Sequence, residues 1–207
     1  KFPQDKRINA DNVGRGVPYI RYIQNKKIMF LQGRGSFGEI FWYRFDETTD
    51  GEVAIPSGMY AAHRRTLDDR SVFPPNQPAS GEWIWRDGND DGRFDAAEFS
   101  QKSVNAGSSP GTCWRITPDS KGDIWITSEW GPIRRLRCQG LDEKGNPVYS
   151  FSQMDSWSKP KEFGDQKIFK VEYLADSNIL LVSGYNNQYP YRNVWQSSGR
   201  VLYRYDN

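Results

Sequence analysis

Polar and apolar residues alternate along most of this chain with a period of two, and the runs are short. The stretches "YIRYIQNKKIMFLQG" (19–33), "CWRITPDSKGDIWIT" (113–127) and "FKVEYLADSNILLVSG" (169–184) are built alike. In each, a run rich in β-branched and aromatic residues leads into a short turn of Asn, Asp, Ser, Lys or Gly, and a second such run follows. That pattern predicts three antiparallel hairpins. A further element follows each hairpin: "EIFWYRFD" (39–46), "IRRLRCQG" (133–140) and "RVLYRYDN" (200–207), with a fourth copy in "EWIWRD" (82–87). These share a large apolar residue before Arg44, Arg86, Arg137 and Arg204, and they predict third strands. A polar turn and another short strand come next in "DETTDGEVAI" and "GLDEKGNPVYSF".

Four-stranded units recurring every 40–50 residues or so are the mark of a β-propeller. The expectation is an all-β chain forming a single domain over 1–207, with units at roughly 17–56, 57–99, 112–151 and 168–207. Four such units fill the chain, so they read as part of a larger six- or seven-bladed propeller. The second unit has no clear opening hairpin; the proline-rich stretch 60–81 is expected to contain it. An irregular β-sandwich is the alternative with similar strand spacing.

The hairpin with Asp119, Gly122, Ile124 and Trp125 resembles the D-x-x-G-x-φ-W hairpin of NHL, SMP-30/gluconolactonase and related bacterial propellers. The resemblance implies a propeller fold. It implies no single activity, because such folds serve lactonases, lyases, dehydrogenases, sensors and scaffolds alike.

Composition fits this picture. The chain has 8 Trp, 11 Tyr and 11 Phe, enough large rings for a core although only 36% of residues are hydrophobic. No apolar run is long enough to cross a bilayer. Lys and Arg number 28 against 26 Asp and Glu, with no dense basic patch, so no nucleic-acid partner is expected. Cys113 and Cys138 fit no metal-binding spacing and read as two isolated cysteines rather than a bridge. His63 is the only histidine. Any Ser-His-Asp or Cys-His catalytic arrangement would have to use it, and it reads as a satisfied or exposed histidine.

One stretch carries a metal motif. "DGNDDGRFDAAE" (87–98) meets D-x-[DN]-x-[DN]-G-x5-E in full. Calcium takes about six to eight oxygens, offered here by Asp87, Asn89, Asp91, the Arg93 carbonyl, Asp95 and Glu98. Strand-like sequence precedes the loop and only a short helical turn can follow it, so the paired helices of a calcium switch are missing. The expected role is a structural staple on one unit's outer hairpin. A solvated acidic turn is the alternative.

A second candidate is the loop "GYNNQYPYRNVWQSSG" (184–199) with Tyr185, Tyr189, Tyr191 and Trp195. It reads either as a binding surface for carbohydrate or peptide, or as a long connection packing its own rings. Taken together, these features predict a calcium-stabilised, secreted or periplasmic binding or scaffold module. A propeller-type carbohydrate or lactone enzyme is the first alternative, and a subunit contacting another protein chain in an extracellular assembly is the second.

Overall fold

A computed structural model describes residues 18–32, 38–49, 51–66, 73–102, 115–192 and 199–206. The chain is all-β, in three antiparallel sheets. The first is a six-stranded meander of β1 (Pro18–Ile23), β2 (Lys26–Gln32), β3 (Glu39–Arg44), β4 (Ile55–Ala61), β5 (Glu82–Arg86) and β6 (Phe99–Lys102). The second contains β7 (Arg115–Pro118), β8 (Ile124–Thr127), β9 (Ile133–Leu136) and β10 (Met154–Trp157). The third contains β11 (Ile168–Leu174), β12 (Ile179–Gly184) and β13 (Val201–Asp206).

All three expected hairpins are present, as β1–β2, β7–β8 and β11–β12. The first closes through Gln24 and Asn25, both at positive φ, which matches the right-handed twist of the strands. The turn of the second shows why its motif has those residues. Asp119 Oδ1 accepts from the Lys121 and Asp123 amides, at 2.9 and 3.0 Å, and Asp119 Oδ2 accepts from Trp125 Nε1 at 3.0 Å. Gly122 has φ +87°, and a Cβ there would lie 2.5 Å from Ile23 Cδ1. The turn therefore presses directly on the first sheet.

The unit boundaries differ from the expectation. Strands β1 to β6 form one six-stranded sheet, not two four-stranded units. β4 pairs with β3 on one side and with β5 on the other, which joins the two expected units in one ladder. The stretch 73–81 forms no strand, and Pro74, Pro75 and Pro78 lack the amide donors a ladder needs. The second sheet's outer strand is Met154–Trp157, past the expected "GNPVYSF", which instead bends through a bridge between Leu141 and Pro147. Arg44, Arg86 and Arg204 sit in β3, β5 and β13, while Arg137 falls just beyond β9.

The sheets stack face to face, and alternation decides which side chains fill each interface. Ile28, Phe30, Ile40 and Trp42 meet Ile116, Ile124, Ile126 and Leu136 between the first and second sheets. Trp125 and Ile133, on the opposite face of the second sheet, meet Ile168, Val171 and Val182 of the third. On the far side of the first sheet, Phe41, Tyr43, Met59, Trp83 and Trp85 are covered by Phe94 and its neighbours. A buried polar bridge also crosses the first interface: Arg134 Nη1 donates to both Glu82 oxygens at 2.8 Å, and Tyr60 donates to Oε2 at 2.7 Å. Among the described residues these sheets close no ring.

Close packing makes one position in β4 intolerant of any side chain. A Cβ on Gly58 would lie 2.3 Å from Trp42 Nε1, and Trp42 is fully buried. Gly58→Ala should lower stability by about 1–3 kcal/mol, the usual cost of overpacking. Urea unfolding monitored by tryptophan fluorescence checks this; an unchanged midpoint would mean the indole can move aside.

Candidate metal centre

The acidic loop joins β5 to β6, so it spans one antiparallel hairpin and ends in a single 3-10 turn, Ala96–Glu98. Among the described residues no α-helix flanks it. Phe94 anchors the loop from within. Its ring lies 4.4 Å from that of Trp85 and 5.5 Å from that of Phe73, and Asn76 Nδ2 donates to its carbonyl at 2.8 Å.

The six expected ligand residues lie in one loop but point differently. Asp87 is 1% exposed; its Oδ2 accepts from the Gly92 amide at 2.9 Å, Oδ1 is buried with no hydrogen bond of ordinary geometry, and the Asp90 amide also acts on the carboxylate. Asn89 Oδ1 accepts from the Asp91 amide at 3.0 Å, and Asp91 Oδ1 from the Arg93 amide at 2.8 Å. Each of those oxygens keeps a second lone pair. Asp95 Oδ2 takes a hydrogen bond from Asn89 Nδ2 at 3.2 Å. Glu98 is turned onto the loop: Oε1 accepts from the Gly88 and Asn89 amides, at 2.8 and 3.4 Å, and Oε2 from Trp85 Nε1 at 2.9 Å. Arg93 is exposed. Among the described residues, no three Asp, Glu, His or Cys side chains converge as a ready metal cage.

What the loop has is an electrostatic conflict. Burial, with the charge of Glu98 next in weight, pushes the Asp87 carboxyl up to about 6. The donor set is oxygen throughout and the strained carboxylate has a buried oxygen with no hydrogen bond of ordinary geometry, so a hard cation suits it and zinc does not. Gly92, at φ +66°, allows the bend that returns its amide to Asp87.

Two residues outside the motif hold the loop in place. Asn146 Nδ2 donates to the Asp87 carbonyl at 2.7 Å, and Arg44 Nε donates to Asn146 Oδ1 at 3.2 Å. Arg44 also pairs with Asp90. Asn146 belongs to a turn after β9 in which Asp142 Oδ1 accepts from the Lys144 and Asn146 amides. Sequence reasoning found that turn but had no signal for its contact with the loop.

The second candidate loop divides. Tyr185 is buried against Phe169, and Tyr191 packs on both, with ring centroids 5.3–5.8 Å apart. Tyr189 is 38% exposed, with Arg200 5.3 Å from its ring. Trp195 lies outside the described residues, as does Cys113. Cys138 has a free thiol, pushed up by burial. His63 is exposed, and partial burial followed by the charge of Arg65 lowers its pKa. No helix among the described residues is long and apolar enough to cross a membrane.

No family model, curated protein or solved structure matches this chain.

Proposed function

We propose that the chain is a calcium-stabilised, extracellular binding or scaffold module whose sheets are neighbouring blades of a β-propeller. The observation that carries the calcium part is Asp87 Oδ1, buried with no hydrogen bond of ordinary geometry at the first position of a complete oxygen-ligand spacing. Supporting the blade reading, successive antiparallel sheets stack face to face in chain order, with inner hairpins of matching pattern. When bound, calcium would supply positive charge to a turn that crowds Asp87, Asp91, Asp95 and Glu98. Asp87, Asn89, Asp91, the Arg93 carbonyl, Asp95 and Glu98 would hold it. Glu98 would exchange its hydrogen bonds to Gly88 and Trp85 for that role. The resemblance to NHL and SMP-30-like bacterial propellers agrees with this reading and leaves the activity open.

Calcium binds the folded form, so about 2 mM calcium should raise the thermal midpoint by mass action, and EDTA should reverse the rise. Magnesium at the same concentration should do much less, because it keeps its waters and octahedral geometry. Glu98→Gln should remove most of the calcium effect. If calorimetric titration gives no heat and EDTA leaves the midpoint unmoved, the loop is a solvated acidic turn.

A further inference from the structure

A cleft of about 290 Å³ opens between the second and third sheets. Trp125, Arg135 and Trp157 line it from one side, and Tyr173, Leu180 and Tyr205 from the other. The two indoles lie nearly parallel, 12° apart with centroids at 5.6 Å, and Tyr173 sits 4.8 Å from Trp125. Trp125 is wedged in the core, but Trp157, on edge strand β10, is 44% exposed.

These groups are held before any ligand arrives. Trp125 is fixed by Asp119, Tyr173 donates to Asn178 Oδ1 at 2.6 Å, and Tyr205 donates to Glu162 at 3.1 Å. Asp155 takes two hydrogen bonds from Arg135, at 2.9 and 2.7 Å, which sets its guanidinium 5.4–5.5 Å from both indoles. A preorganised aromatic wall loses little freedom on binding. Also lining it are the exposed Ser158 hydroxyl, the Asn178 amide, whose Nδ2 has no partner among the described residues, and the exposed Asp206 carboxylate, which accepts from Arg204 at 2.7–3.2 Å and keeps further lone pairs.

The chemistry narrows the occupant. The Arg135 guanidinium already lies 5.4–5.5 Å from both indoles, so a quaternary ammonium or lysine would meet a fixed like charge and is disfavoured. Arg135 shares Asp155 with Arg137 and has Asp123 at 3.8 Å, so no unpaired cation lines the cleft and a phosphate or nucleic-acid backbone is disfavoured too. A wholly apolar group would strip water from Asn178 and Asp206 without replacing its hydrogen bonds. A pyranose ring offers an apolar C–H face to a flat indole and hydroxyls to an amide and a carboxylate.

We propose that this cleft binds a neutral pyranose saccharide, stacked on Trp157 with its hydroxyls at Asn178 and Asp206. The proposal rests on the reading of the chain as a binding module and gives it a site and a ligand class. Its test is titration with hexasaccharides of β-1,4-linked glucose, xylose, mannose and N-acetylglucosamine, in saturating calcium and in EDTA. Tryptophan fluorescence and calorimetric heat are the readouts. At least one sugar should bind with a Kd of roughly 10 µM to 1 mM. Trp157→Ala should weaken it at least about tenfold, and Trp157→Phe should keep part of the affinity. Trp130→Ala, which removes an indole 57% exposed outside the cleft, should bind like the parent. Four flat titrations at about 5 mM sugar, or full affinity in Trp157→Ala, overturn the proposal. A calcium-dependent midpoint with flat sugar titrations defeats only the saccharide site. Trp157-dependent binding without any calcium shift defeats only the calcium reading.

Discussion

Glu39→Ala is expected to destabilise the protein by about 3–5 kcal/mol, the usual loss when one member of a buried ion pair is removed. Glu39 is 2% exposed and Arg65 5%, and their side chains meet directly, with a second contact from Arg65 Nη2 to Glu39 Oε1 at 3.1 Å. Gln77 fixes the Arg65 backbone from both sides: its Oε1 accepts from the Arg65 amide at 2.6 Å and its Nε2 donates to the Arg65 carbonyl at 3.0 Å. With its backbone fixed and its side chain buried, Arg65 would be left with an uncompensated charge. Replacing both partners with Met should recover most of the loss, because the cost lies in the stranded charge and not in the missing attraction. Equal losses in the single and double variants, measured by urea unfolding, would refute this.

The same pair makes a pH signature. Burial, opposed by the Arg65 charge, raises the Glu39 carboxyl to about 7. A carboxyl whose folded pKa lies above its unfolded value stabilises the fold below the unfolded pKa, near 4.3, and that contribution is lost as pH rises through 7. Asp87 acts with the same sign in calcium-free protein. The comparison that isolates Glu39 is therefore parent against Glu39→Gln in EDTA, where the variant should show the smaller decline from pH 5 to 8. Identical declines would locate the effect elsewhere.

The hairpins were legible because their turn chemistry is local. Asp119 caps a turn two to four residues away, and Asn25 takes positive φ within a two-residue loop. β4 runs over Ile55–Ala61, beyond the strand expected in "DETTDGEVAI", although Pro56, Ser57 and Gly58 look like strand breakers. Gly58 belongs in the strand because Trp42 fills the space a side chain would need. β10, "MDSW", lacks a clean alternation and is a strand through its register with β9, which the sequence does not display. The position of the acidic loop between two strands is legible from its motif and the "EWIWR" run before it. The loop's inward-turned Glu98 is not legible in the motif, since Trp85 Nε1, which joins the Gly88 and Asn89 amides in holding it, belongs to the strand. The aromatic cleft was invisible for a different reason. Trp125, Trp157, Tyr173 and Tyr205 are separated by many residues and meet only when two sheets stack.

Asn146 ties the acidic loop to the turn after β9. Asn146 is 1% exposed, and its one amide satisfies the Asp87 carbonyl and receives Arg44. Asn146→Ala leaves both groups without that partner and should cost about 2–4 kcal/mol in EDTA, roughly the penalty for two buried polar groups. Asp87 opens the ligand set, so loosening its backbone should also weaken calcium binding, by about tenfold as an order of magnitude. A purely structural role predicts the first effect without the second, and calorimetric titration of the variant separates them. The stronger check is a double-mutant cycle with Glu98→Gln, measured in saturating calcium. If the tie transmits calcium's effect, Asn146→Ala should cost less in the Glu98→Gln background, where little calcium stabilisation remains to be lost. Additivity within about 0.5 kcal/mol would show that the loop and the second sheet are joined but not coupled.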